Sequence, residues 1–413
     1  MNQFNLKGGR VKCPYSVSTT PMQFFLRPYQ ERGDVAMQQH NKGQLIVHTG
    51  GGKTLNMITD AVRQFQSQTP QTIVVVAPRI LLAEQLSSEF LEFITNAQVL
   101  HCHSGETHHE SSTKPLVIRN WVESNNSSHK LIITTYNSLQ RLVDADIDVD
   151  TIYFDEAHNS VKRNFFPATE HFSANANRCY FFTATRKTSL TPTKPGMNDS
   201  EVYGNIICRV SAPELVDGGY IIAPKIVAKQ FQVIDGKQIT AECDSSNLLE
   251  TLDDINCKKI LVCVKSSKQL VNLVSQTDCI NELQSRGYSY LYITSKTGAV
   301  IDGKKVNREV FFDTLNAWGR DSNKKFICLH RSILSEGINV SELEAVVFLR
   351  NMDVIELTQT IGRVLRKGGK DKVWGLCVVP VYSKVGISTE RALQSVVDAV
   401  FEKGEMVDSV VRR

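Results

Sequence analysis

Three short segments of this 413-residue chain carry residue types suited to phosphate chemistry. The first, Val47–Thr54 (VHTGGGKT), lies between the apolar run Leu45-Ile46-Val47 and a helical repeat of Leu55, Ile58, Val62 and Phe65, so it reads as a strand–loop–helix turn. After Thr49, Gly50, Gly51 and Gly52 lack a Cβ, and their backbone N–H groups can converge on phosphate oxygens at the positive end of the following helix. Lys53 supplies charge to the outer phosphates, and the Thr54 hydroxyl is placed for Mg²⁺. Val47 stands where the usual pattern has Gly or Ala.

The second segment, Asp155–His158 (DEAH), follows Thr151-Ile152-Tyr153-Phe154, a run typical of a strand buried on both faces. Open α/β sheets bind ligands at such carboxyl ends. Asp155 is expected to hold the metal through water, and Glu156 to orient or deprotonate the attacking water. Alone, these four letters would read as a solvated helix start. The third segment, Gln359–Arg366 (QTIGRVLR), puts Gln359, Arg363 and Arg366 on one helical stripe and Leu357, Ile361 and Val364 on the opposite one. Asp353 with Glu356 resembles a capping box at its start. Arginines so placed on a second domain can reach a γ-phosphate held by the first and stabilise transition-state charge, which makes Gln359, Arg363 and Arg366 catalytic candidates beside Lys53, Asp155 and Glu156.

In this order the segments resemble those of superfamily 2 DEAD/DEAH-type helicases, in the branch of restriction-subunit translocases and phage or repair DNA helicases. Leu26-Arg27-Pro28-Tyr29-Gln30 resembles the adenine-reading glutamine motif, with Arg27 and Gln30 as nucleotide contacts. Ala77-Pro78-Arg79 and Thr134-Thr135-Tyr136 resemble backbone-contacting motifs, which implies nucleic-acid contacts at Pro78, Arg79, Thr134 and Thr135. Thr183-Ala184-Thr185 resembles the segment that links hydrolysis to strand movement, and with His158 gives the coupling residues His158, Thr183 and Thr185. Ser335-Glu336-Gly337-Ile338-Asn339 resembles the fifth motif, with Gly337 and Asn339 near the nucleotide; Asn339 replaces the usual Asp, and Arg331, a further nucleic-acid candidate, stands where Thr is common. Tyr203-Gly204 and Glu214–Tyr220 with Pro224 resemble the interdomain stretch of restriction- and repair-type helicases, which favours DNA over RNA. The resemblance spans residues 23 to 380 and implies an α/β fold of two tandem RecA-like parallel-sheet domains around an interdomain ATP cleft.

The elements that must position these groups alternate in the expected way. Strand-like runs fall at Leu45–Val47, Ile73–Ala77, Leu131–Thr134, Thr151–Phe154 and Tyr180–Phe182, then at Ile260–Val264, Tyr290–Ile293, Phe326–Leu329, Val346–Leu349 and Trp374–Val379. This divides the chain into an N-terminal extension (1–22), a first domain (23–210), a connector (211–224) and a second domain (225–413). The second domain is expected to end in a helix bearing Leu393, Val396, Val397, Val400 and Phe401.

Composition agrees. Hydrophobic content of 41% with 22% charged residues is that of a globular protein, and a net charge of +4 leaves any polyanion surface to local clustering. Lys296, Lys304, Lys305 and Arg308, in a glycine-containing loop, form one such cluster. No run approaches a membrane span and the start lacks a signal-type apolar core, so the expectation is a cytoplasmic protein with no membrane partner. Ten cysteines without a C-x-x-C pair read as reduced and mostly buried. His101-Cys102-His103 with His108, His109 and Glu110 matches no standard zinc spacing and is read as a loop near nucleic acid.

The expected activity is an ATP- and Mg²⁺-dependent DNA helicase or translocase, with a protein partner for targeting. An RNA helicase and an ATP-gated clamp serving a nuclease or recombinase are the alternatives.

Overall fold

The computed structural model describes residues 25–105, 107–191, 193–231, 240–264, 266–294, 297–331, 342–349, 375–382, 394–395 and 397–411. The first half builds one eight-stranded sheet from β1 (Lys42–Val47), β2 (Thr72–Ala77), β3 (Ala97–Cys102), β4 (Glu110–Ser111), β5 (His129–Thr135), β6 (Thr151–Phe154), β7 (Arg178–Thr183) and β9 (Ile206–Val210). Its order is β4-β3-β5-β2-β6-β7-β1-β9, and every pairing is parallel.

The short strand β8 (Thr185–Thr188) leaves this sheet and pairs elsewhere. All six residues of β2 are buried, as a strand covered by helices on both faces requires. Alternate side chains divide between two apolar clusters: Ile73 and Val75 join Met57 and Leu86, whereas Val74 and Val76 join Ile118 and Phe172.

The second half builds another eight-stranded sheet from β10 (Pro224–Phe231), β11 (Lys259–Cys263), β12 (Ser289–Thr294), β13 (Gly298–Ile301), β14 (Lys304–Val306), β15 (Phe326–His330), β16 (Ala345–Phe348) and β17 (Gly375–Tyr382). The order is β10-β17-β16-β11-β15-β12-β13-β14, parallel except for the β12–β13 and β13–β14 pairs. The fold is therefore the tandem RecA-like α/β architecture, with an antiparallel hairpin at one edge that periodicity did not suggest. Lys304 and Lys305 lie in that hairpin and not in a loop, and Arg308 begins a helix, Arg308–Arg320.

Sequence runs missed β3, β9 and β10. Each is interrupted by polar residues or borders a segment read as connector. Within that connector Ala212–Asp217 is a helix, capped by Ser211 and burying Leu215. At the far end, Val397, Val400 and Phe401 are buried as the amphipathic pattern implies, in an apolar cluster that draws on both halves; Phe401 meets His48 of the first half, and β18 (Val407–Val410) pairs in parallel with β8.

Candidate functional site

Helix α2 (Lys53–Gln64) starts directly after the glycine loop, with Gly52 at its N-cap in a left-handed conformation (φ 71°) that a glycine adopts without strain. Gly51 N–H donates to His48 O at 3.0 Å, which tightens the loop. A Cβ on Gly51 would sit 2.5 Å from Val47 Cγ1, so this position demands glycine for close approach and not only for conformation. Of Leu55, Ile58, Val62 and Phe65, Ile58 is buried within α2 and Phe65 is buried at its C-cap; Asn56, Met57, Asp60 and Ala61 are the other buried residues of the helix. The buried Asp60 is held by a bidentate pair with Arg178 (2.7 and 2.9 Å) and by Tyr153 Oη at 2.7 Å, which ties α2 to β6 and β7.

The strand order β6-β7-β1 sets three motifs side by side at strand carboxyl ends: Asp155–His158 after β6, Thr183–Thr185 at the end of β7, and the glycine loop after β1. A cleft of about 580 Å³ opens there, lined by Thr49, Gly50, Lys53, Thr54, Asp155 and Glu156 among others. Lys53 Nζ lies 3.4 Å from Glu156 Oε1 across it. Glu156 takes φ 45°, a left-handed backbone that costs a side-chain-bearing residue energy and persists only where the surroundings impose it. Asp155 is buried; burial first, and the adjacent Glu156 second, push its carboxyl pKa well up, with Lys53 opposing. Tyr136 Oη donates to Asp155 O at 3.0 Å and fixes that turn from below.

His158 connects two of the motifs. Thr183 O–H donates to Thr185 O (2.8 Å), so the 3.1 Å contact between Thr183 Oγ1 and His158 Nδ1 requires the proton on Nδ1. Burial lowers the His158 pKa to about 4, keeping the ring neutral, and the same Nδ1 lies 3.5 Å from Glu156 Oε2. A hydrogen-bonded chain thus joins His158, Thr183 and Thr185, and its His158 end lies beside Glu156.

The adenine-side expectation needs revision. Gln30, on α1 (Pro28–Gln39), is buried; its Oε1 accepts from Arg27 N (3.0 Å) and its Nε2 points at Gly51 O and Gly52 O (both 3.4 Å). Both ends of the amide that were expected to read a base edge are engaged with the chain itself, so Gln30 props the glycine loop in this structure. Tyr29 is buried as well. Two aromatic residues, Phe93 and Tyr220, line the cleft, and the Arg27 guanidinium lies 4.6 Å above the Tyr220 ring. Sequence reasoning noted Tyr220 only as part of the connector. Gln85 and Glu89 on α3 (Ile80–Leu91) also line the cleft and carried no sequence signal beyond helical polarity.

The proposed nucleic-acid contacts separate. Arg79 is exposed at the N-cap of α3, Pro78 is half-buried beside it, and Arg331 is exposed after β15. Thr134 and Thr135 are buried, and the Thr134 hydroxyl donates to Cys102 O at 2.9 Å. As side-chain contacts to a backbone phosphate they are corrected here: the resemblance located the strand end, but the strand's neighbours cover it. Gly337, Asn339, Gln359, Arg363 and Arg366 lie outside the described residues, as does Lys296.

His101 and Cys102 belong to β3 and not to a loop. His101 and His103 converge with Glu84 of α3, a residue no motif or spacing singled out. Gly105 N–H donates to His103 Nδ1 (3.3 Å), which leaves His103 Nε2–H for Glu84 Oε1 (3.1 Å). His101 Nδ1–H can donate to the same oxygen (3.2 Å), with the Ser87 hydroxyl bonding His101 Nε2 (2.8 Å). Two rings, kept neutral by burial, and one carboxylate thus form a hydrogen-bond network with the Ser87 hydroxyl and the Gly105 N–H.

The cleft fits a magnesium nucleotide on its own features: a glycine loop too tight for a Cβ, a cation facing a carboxylate, a buried aspartate whose raised pKa a bound cation would lower, and a buried Thr49 hydroxyl without a hydrogen-bond partner among the described residues. None of the helices among the described residues is long and apolar enough to cross a membrane.

Comparison with known proteins gives the same lineage. A family model for the type III restriction enzyme res subunit matches residues 23–188, and one for the helicase conserved C-terminal domain matches residues 245–368. No curated protein matches. Among solved structures, the ATP-dependent Type ISP restriction-modification enzyme LlaBIII bound to DNA superposes with a TM-score of 0.66 at 16% identity, covering 94% of this chain and 31% of that one. A nuclease-deletion mutant of the Type ISP enzyme LlaGI, in complex with a DNA substrate mimic, gives 0.66 at 17% identity, covering 93% of this chain and 30% of that one. A fragment of a putative HsdR subunit of a type I restriction enzyme from Vibrio vulnificus YJ016 gives 0.59 at 16%, covering 95% and 69%. This chain spans about a third of the length of the two Type ISP enzymes. At these identities the structures speak to the fold, and the two family models, which together cover more than half the sequence, speak to descent: the chain belongs to the superfamily 2 helicase-like proteins.

Proposed function

We propose that this chain is a DNA-dependent ATPase that moves along or remodels DNA. The observation that carries the reading is that the glycine loop and Asp155-Glu156 line one cleft with Lys53 facing Glu156, while Thr183–Thr185 end the strand that lies between theirs. ATP as substrate would lie with its phosphates against Gly50–Thr54 and its base toward Tyr220 and Arg27. Thr54 and Asp155 would hold Mg²⁺, which supplies charge neutralisation of the phosphates.

Glu156 orients and deprotonates the attacking water, and its lysine contact gives way to phosphate when substrate binds. Arg363 and Arg366, with Gln359, approach from the second domain and stabilise charge developing in the transition state; Gly337 and Asn339 contact the nucleotide from that side. Loss of the γ-phosphate contacts then relaxes the closed arrangement. The hydrogen-bonded path from His158 to Thr183 and Thr185 begins 3.5 Å from Glu156 and carries the state of the catalytic turn to the surface that grips the strand. Arg79 with Pro78, and Arg331, hold backbone phosphates without reading sequence, so affinity falls with salt. The domain limits adopted are 23–210 and 225–413, with targeting left to a partner protein.

Comparing ATP turnover with single-stranded DNA, duplex DNA, branched DNA and RNA tests the reading directly. DNA is expected to stimulate most. Stimulation by RNA alone would replace DNA as the substrate, and turnover near zero with every nucleic acid would favour a clamp.

A further inference from the structure

The C-terminal residues reach the back of the phosphate loop. Val400 and Phe401 are buried in one apolar cluster with Val47, Val210 and Leu215. The Phe401 ring meets that of His48 edge-on, centroids 5.0 Å apart and planes at 77°. Beyond it, Gly404 O accepts from Arg209, β18 pairs with β8, Asp408 lies 3.7 Å from Arg186, and Val411 N–H donates to Thr188 O at 2.8 Å. One continuous stretch therefore touches the root of the glycine loop and the strand that follows Thr183-Ala184-Thr185.

We infer that this stretch is a strap that fixes the phosphate cradle, with Phe401 a positioning residue that acts through His48; the inference rests on the proposed ATPase reading. His48 Nδ1 lies 3.0 Å from Thr49 O, and burial lowers the ring's pKa to about 4, so the neutral ring donates Nδ1–H to that carbonyl. The Thr49 carbonyl and the Gly50 N–H belong to one planar trans peptide and point in opposite directions. Pinning the carbonyl on the His48 ring therefore aims the Gly50 N–H, one of the donors expected to meet phosphate, away from that ring, and Gly50 lines the cleft. What keeps the ring from turning is its packing: Nε2 has no hydrogen-bond partner among the described residues, and Phe401 closes one side. Without Phe401 the imidazole gains room to rotate, and the peptide that carries the Gly50 donor loses its anchor.

The test uses the full chain with Phe401→Ala, which removes the ring, and Phe401→Leu, which keeps most of the volume. A donor bound to phosphate alike in ground and transition states contributes uniform binding, so Phe401→Ala should raise KM for ATP about fivefold to tenfold and leave kcat within about twofold, with Phe401→Leu recovering most of the loss. In nucleotide-free protein, amide hydrogen exchange at Gly50 and Gly51 should be faster in Phe401→Ala than in the parent while the β2 amides are unchanged. Unchanged KM and loop exchange would overturn the inference. So would parallel losses of kcat and melting temperature with KM constant, the mark of a merely less stable fold. If the parent itself hydrolyses no ATP, the ATPase reading fails, and the exchange measurement alone decides for or against the strap.

Discussion

Two strand ends in the same sheet carried similar sequence signals and came to different fates. Asp155 and Glu156 follow β6, Thr134 and Thr135 end β5, and each pair closes an apolar run with polar residues. β6 lies between β2 and β7, one strand away from β1, and its carboxyl end opens onto the cleft that the glycine loop shares. β5 lies between β3 and β2, where the Cys102 carbonyl takes the Thr134 hydroxyl and nothing is left exposed. A polar strand end becomes a site only where the strand order leaves a crevice in front of it. The acidic pair also carries strain and a displaced pKa, which the threonine pair does not.

Substitutions can break or sharpen this contrast. The largest effect is expected for Lys53→Ala, a loss of ATP turnover on the order of a thousand-fold, measured with saturating DNA, because the cation serves the developing phosphate charge. Glu156→Gln should lower kcat about a hundred-fold with ATP and DNA binding retained; turnover equal to the parent's would remove Glu156 from its role. Arg363→Ala should lower the maximal rate with ATP affinity largely kept, and a change in affinity alone would cancel the arginine's assignment to the transition state.

Arg79→Ala is expected to weaken DNA binding uniformly across sequences and to reduce the salt slope by about one, whereas Thr134→Val should leave the slope untouched and cost about 1 kcal/mol of stability through the lost hydrogen bond. A salt slope that changes in Thr134→Val would restore the threonine to the nucleic-acid surface.

A subtler effect concerns pH. The carboxyl pKa of Asp155 is raised on folding, so the folded chain keeps a proton that the unfolded chain releases, and without metal its stability falls as pH rises from the ordinary carboxylate range toward neutrality. Asp155→Asn removes that penalty. In chelator-treated protein its stability advantage over the parent should therefore grow between about pH 4 and pH 7, by on the order of 1 kcal/mol or more, as read from denaturant midpoints. A constant gap across that range would mean the carboxyl is not perturbed.

Much of the site was legible before any coordinates. Phosphate chemistry demands glycines, a lysine and a hydroxyl in fixed succession, and Val47–Thr54 supplies them in sequence, where spacing is visible. The strand preceding Asp155 was readable to the residue because a doubly buried strand is uniformly apolar. Gln30, Tyr220 and Glu84 show the opposite case. Whether a glutamine faces a base or the glycine loop depends on a hydrogen bond to Gly51 and Gly52, twenty-odd residues away; whether a connector tyrosine lines the cleft depends on where that connector crosses. The edge strand β14, and β3 beside the two-residue edge strand β4, were missed for a related reason: exposed positions admit polar residues and erase the pattern.

The sequence by itself determined the chemistry available to this protein: which groups can cradle phosphate, bind a cation and activate water, and that two parallel sheets carry them. Local spacing encodes these because each motif is a single turn between a strand and a helix. Only the tertiary structure decided which strand ends stand side by side, that Gln30 and Thr134 are turned inward, and that the chain's last strand lies on β8 beside the coupling segment. Those outcomes depend on strand order and on contacts between residues from about twenty to more than two hundred positions apart, and loop closure over such distances costs nearly the same for many alternative pairings, so no local pattern distinguishes them.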